Sequence, residues 1–153
     1  MRAEIRTIVS FKSTAFNITQ PKSYFINSCC FGHDVAKWLI HQLHDKGVEA
    51  DSEPGQEDFG WYFNFQVADT PHTFVIGHSP GLVEGSEGTW IGWIERYRGL
   101  VGSLFGGRTG GINPAAAQAL HSILSSSPQI QDIRWHFRRD FDKGREQLGA
   151  PAP

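Results

Sequence analysis

The chain has 153 residues, of which 39% are hydrophobic, 12% aromatic and 20% charged, and its formal net charge is −2 with histidine neutral. That length accommodates one domain with its own core, and the composition excludes the sparse-hydrophobic, highly charged class of disordered chains. Residues 1–95 carry 6 Lys/Arg against 12 Asp/Glu (−6) and residues 96–153 carry 8 against 4 (+4), so only the last third is basic and the whole lacks the balance of a dedicated nucleic-acid binder.

The segment Glu4–Phe11, with Ile5, Ile8, Val9 and Phe11, has a strand composition. Ala15–Ile18 is expected to extend or re-enter the sheet, and Thr19–Ser23, which contains Pro21, reads as a turn. Cys29 and Cys30 are adjacent, so a bridge between them would be strained and both are expected to be reduced. From Asp34 to Lys46 the apolar residues Val35, Trp38, Leu39 and Leu43 recur at helical steps. Asp34 is the expected N-cap, because its carboxylate can accept from free first-turn amides, and Gly47 the expected left-handed stop.

Asp45–Asp58 holds six carboxylates around Pro54 and Gly55 and reads as a solvated connection with a short edge strand near Val48. Phe59, Trp61, Phe63, Phe65 and Val67 then alternate with Gly60, Tyr62, Asn64, Gln66 and Ala68, the period of a half-buried strand. Asp69–His72 has turn chemistry, Thr73–His78 returns antiparallel, and Thr89–Tyr97 is a further strand after a Gly/Ser/Glu-rich loop. Six glycines lie in 99–111. Asn113 as N-cap and Pro114 at the first helical position open a second helix, which should stop before Pro128. Ile133, Trp135 and Phe137 alternate with Arg134, His136 and Arg138, a last strand with a basic outer face.

This order predicts an α+β fold, a two-layer α/β sandwich in which two helices cover one face of a largely antiparallel sheet of about five strands. The expected domain is 1–143, followed by a flexible Pro/Gly/Ala tail over 144–153.

Several groupings carry possible chemistry. Glu57 and Asp58 precede the aromatic strand, where paired carboxylates beside Trp61 and Tyr62 suit binding better than general acid–base work, since neighbouring strand residues face opposite ways. His78, at the end of a strand, is the best-placed histidine for a cleft. Cys29 and Cys30 precede a helix start, but no C-x-x-C spacing accompanies them. His41 and His44 lie three apart on a polar helix face and no zinc motif occurs, so no metal and no cofactor are expected. Arg108 in the glycine-rich loop invites comparison with phosphate cradles, yet G-x-x-x-x-G-K-[ST] is missing, and a flap over a cleft is the better reading. Tyr97 with Arg96, Arg98, Arg134, Arg138 and Arg139 is the minor alternative of a single-stranded nucleic-acid surface.

The strings Tyr24-Phe25-Ile26-Asn27, Phe31-Gly32-His33-Asp34 with Trp38-Leu39, and Glu57-Asp58-Phe59-Gly60-Trp61-Tyr62 resemble a family of small uncharacterised bacterial proteins. The resemblance covers roughly residues 16–68 and departs from the pattern at Phe59, often tryptophan there, and at Ser28, where a proline follows the asparagine. It implies a bacterial, intracellular protein and no particular activity. Size, acidity and α/β make-up are also similar to some polymorphic-toxin immunity proteins, an analogy of fold alone. Together these readings predict a cytoplasmic module that acts by binding a protein partner or a second copy of itself, with Glu57, Asp58, Trp61, Tyr62, His78 and Arg108 as contact candidates. The enzymatic alternative is a small hydrolase using Glu57, Asp58 and His78.

Overall fold

A computed structural model describes residues 4–18, 20, 22–23, 25, 31–57, 60–80, 88–97 and 111–153. Cys29, Cys30, Asp58, Phe59, Arg98, Arg108 and the segments 81–87 and 98–110 lie outside the described residues.

Among the described residues seven strands form one antiparallel sheet: β1 (Ile8–Lys12), β2 (Glu49–Ala50), β3 (Gly55–Glu57), β4 (Gly60–Val67), β5 (Thr70–Ser79), β6 (Thr89–Arg96) and β7 (Gln131–His136). Their spatial order is β2-β4-β5-β6-β1-β7, and β3 shares the outer side of β4 with β2. The count exceeds the expected five because β2 and β3, two and three residues long, both fall in the acidic connection. Segments that short have no room to show a period of two, and backbone pairing to β4 is what makes them strands.

The alternation in β4 is as the sequence reads it. Trp61, Phe63 and Phe65 are buried on one face, while Gln66 is exposed. The register pairs Phe63 with Phe74 and Phe74 with Ile94, and continues Trp61–Ile76–Gly92–Val9–Trp135 across the sheet. Two helices, α1 (His33–Asp45) and α2 (Pro114–Ser126), cover this face with Val35, Leu39, Leu43, Leu120, Ile123 and Leu124. Burying a side chain of this size contributes about 1.5–3 kcal/mol, so the aromatic face and the two helix stripes are the main driving force of the fold. A third helix, α3 (Arg138–Asp142), follows β7, and the turn Glu146–Leu148 is 3-10.

Four local expectations are corrected. The N-cap of α1 is Gly32 rather than Asp34: Gly32 has φ 141°, and a β-carbon there would come within 3.1 Å of Trp61 Cδ1 and 3.2 Å of the Ile76 carbonyl. Asp34 still ties down the helix start, accepting from Val35 N at 3.0 Å and Asn17 N at 2.7 Å. The hairpin between β4 and β5 turns on Ala68 and Asp69, both left-handed with φ 52° and 60°, so Thr70, Pro71 and His72 belong to β5 instead of the turn. Ala15–Ile18 adds no strand; Phe16 packs on Trp38 and Trp90. The outer face of β7 is not uniformly basic, because His136 is only 2% exposed while Arg134 is open to water.

Three expectations at the helix ends stand. Asn113 Oδ1 accepts from Ala115 N at 2.9 Å, Pro114 opens α2, and Gly47 follows α1 with φ 78°. In place of the expected flexible tail beyond residue 143, segment 144–153 folds back along the sheet, because Ala150 exchanges both backbone hydrogen bonds with Trp135, at 2.6 and 2.8 Å. No helix among the described residues is long and apolar enough to cross a membrane.

Candidate functional site

Alternation along the strands decides where the expected contact residues go. Trp61 and His78 lie on the helix-covered face, and Trp61 is buried beneath Phe25 and His33. Tyr62 is on the other face, its ring laid over Gly55 on β3. Glu57 pairs with Gly60 on the exposed edge and shares the face of Tyr62. Glu57 and His78 are therefore on opposite sides of the sheet and form no common cleft; Asp58 and Arg108 lie outside the described residues.

Two histidines instead end up against indoles at one end of the covered face. The His33 ring is 4.8 Å from Trp61 and the His78 ring 4.9 Å from Trp90. Burial lowers the pKa of both below 6.5; Lys37 lowers His33 further, against Glu53 and Asp34. At neutral pH these are neutral imidazoles, one donor and one acceptor each. Among the described residues no hydrogen bond there pairs a nucleophile with a base, and no group of three His, Cys, Asp or Glu could hold a metal. His41 and His44 are exposed, and His44 Nε2 lies 3.0 Å from the Ala50 carbonyl.

His72 is a structural rivet. Fully buried, it receives the Asn113 N–H at Nε2 (3.0 Å), so its Nδ1 carries the proton and donates to the Thr70 carbonyl at 2.9 Å. The ring thereby ties the start of β5 to the cap of α2. Burial is the main cause of its lowered pKa, with Arg96 adding to it and the Thr70 contact opposing.

The described arginines of the basic third do not assemble a stripe. Arg96 donates to the Gly111 carbonyl at 3.0 Å, Arg138 faces Asp142 at 3.6 Å, and Arg139 pairs with Glu4 at 2.9 Å. Tyr97, assigned with them from the sequence, is 40% exposed and belongs elsewhere.

It lines an open groove of about 360 Å³ together with Glu49, Ala50, Asp51, Asn64, Phe65, Gln66 and Pro71. The groove forms where β2 meets the ends of β4 and β5. Asp51 Oδ2 accepts from Asn64 N (2.8 Å) and Asn64 Nδ2 (3.1 Å), and Asn64 Oδ1 accepts from Thr73 Oγ1 at 2.6 Å. This chain of bonds fixes one carboxylate and one amide in the wall. Beside it sit the exposed Glu49, the Tyr97 phenol and the Pro71 ring, an acceptor-rich hollow with an aromatic side. Such a lining complements a cationic side chain with an apolar stem, held by charge at one end and by ring contact along its length. The acidic run and Tyr97 were both visible in the sequence; that residues 49–51, 64–66, 71 and 97 meet was not. Comparison with family models, with curated proteins and with solved structures finds no match for this chain.

Proposed function

We propose that this protein works as a binding module whose groove at Glu49, Asp51, Asn64 and Tyr97 takes a basic segment of a partner protein. The convergence of the Asp51–Asn64–Thr73 hydrogen-bond chain with an exposed tyrosine in one hollow carries this reading. The −6 balance of residues 1–95 adds attraction at a distance, which speeds encounter with a positively charged partner. Neutralising a partner by occupying its surface, as an immunity protein does, and a bacterial cytoplasmic setting are the wider context in which we place this role.

The test uses an arginine- and lysine-containing tetrapeptide titrated into the labelled protein by NMR. Shifts should concentrate at Ala50, Asn64, Gln66 and Tyr97 and weaken as salt rises; Glu49→Lys with Tyr97→Ala should abolish them. Shifts spread evenly over the molecule, or unaltered in the double variant, defeat the proposal.

A further inference from the structure

We infer that segment 144–153 is a strap on the β7 edge that protonation of His136 releases. The strap lies at the opposite edge of the sheet from the groove, and the inference does not depend on it. β7 is an edge strand, and Ala150 covers part of its outer side through the two backbone bonds to Trp135. Arg134 Nη1 adds a long contact to the Gly149 carbonyl at 3.5 Å.

Under this strap His136 is 98% buried (2% exposed), with Nε2 2.9 Å from Ser10 Oγ and Nδ1 without a hydrogen-bond partner among the described residues. Gly149 sits on the ring at that nitrogen: a β-carbon on it would lie 2.6 Å from Cε1 and 2.7 Å from Nδ1. Ser10 can satisfy Nε2 in either neutral tautomer, because a hydroxyl both donates and accepts. A protonated ring is different. Both nitrogens then carry protons, and Nδ1–H requires an acceptor in the place that the Gly149 backbone occupies.

The groups around the ring set the balance. Burial opposes the charge first; Glu146, on the strap, favours it, and Arg134 from β7 and Arg6 ahead of β1 oppose it. Ser10 on β1 is neutral, and Phe141 of α3, 5.3 Å away ring to ring, offers only a hydrocarbon edge. The docked ring is therefore held below the ordinary 6.5, whereas a ring freed to water titrates near it. The released form binds the extra proton, so docking is complete above 6.5 and weakens as pH falls through and below it. Release carries Glu146 away, gives Nδ1 to water, and leaves the Trp135 N–H and carbonyl unpaired on an open sheet edge.

Amide hydrogen exchange at Ala150 and Trp135, corrected for the intrinsic pH dependence of exchange, tests this at pH 7.5 and 5. Opening at Ala150 should rise by up to about tenfold per pH unit below 6.5 while the Phe74 amide stays protected, and His136→Phe should show equal opening at both pH values. Opening that does not change with pH, that Phe74 shares, or that keeps its pH dependence in His136→Phe overturns the inference. If His136→Phe does not fold, Gly149→Ala decides: its β-carbon collides with the ring, so Ala150 should already exchange at pH 7.5 as the unaltered chain does at pH 5. Protection equal to the unaltered chain overturns the inference as well.

Discussion

His72 and His136 are both buried histidines on sheet strands, and both are held neutral chiefly by burial. Their surroundings make them different parts. Around His72 a carbonyl accepts from one nitrogen and an amide donates to the other, so a single tautomer is built in and two elements are joined through it. Around His136, among the described residues, only Ser10 answers, and the second nitrogen faces a glycine. Burial alone therefore does not tell whether a histidine locks a structure or leaves it poised; the count of satisfied ring nitrogens does.

The contrast is sharpest in the cost of removing each ring. His72→Ala strands the Thr70 carbonyl and the Asn113 N–H at the mouth of α2 and should cost roughly 2–4 kcal/mol in urea denaturation. His136→Phe removes one bond and one unsatisfied nitrogen together and should stay within about 1 kcal/mol. Similar losses for the two would break the distinction. The covered face around His72 should also tolerate intrusion poorly. A β-carbon on Gly92 would stand 2.9 Å from Phe74 Cε1 and closer still to its Cζ, and Phe74 is fully buried, so Gly92→Ala should cost about 1–3 kcal/mol in the same assay. Ser10→Ala, on the other face, leaves the buried His136 Nε2 without its hydroxyl and should cost about 1–3 kcal/mol.

Acid provides the gentlest probe. His33, His72, His78, His121 and His136 are all lowered by burial, so the unfolded chain takes up protons that the folded one refuses. Stability should be level above 6.5 and decline as pH drops below it, by at most about 1.4 kcal/mol per pH unit for each such proton. Denaturation midpoints at pH 7.5, 6 and 5 measure it. His72→Ala should flatten part of the decline; a stability that rises on acidification would contradict the burial of these rings.

Local chemistry was legible where it repeats or where one residue type does one job. The alternation from Trp61 to Phe65 places a face, the steps of Val35, Leu39 and Leu43 place a helix stripe, and Asn113-Pro114 marks a helix start, because each pattern follows from backbone geometry alone. Of the two short strands, β2 answers to the edge strand expected near Val48, whereas β3 was not legible, since three residues display no period. Nor was the turn at Ala68-Asp69, which lacks the glycine that usually announces such a turn. Asp34 reads as a cap by type, but the tight space beside Trp61 and Ile76 gives that place to Gly32.

For the candidate site the division is cleaner. Pattern told that Trp61 and Tyr62 face opposite ways and that Arg134 and His136 share a face, because side-chain direction in a strand is a local property. Which face the helices cover, which part of the other face a folded-back segment hides, and which distant residues meet at the groove depend on contacts between positions far apart in the chain. Those the three-dimensional packing decided: a period in sequence records direction, and only the neighbour that arrives from elsewhere determines whether that direction leads to water, to a core or to a partner.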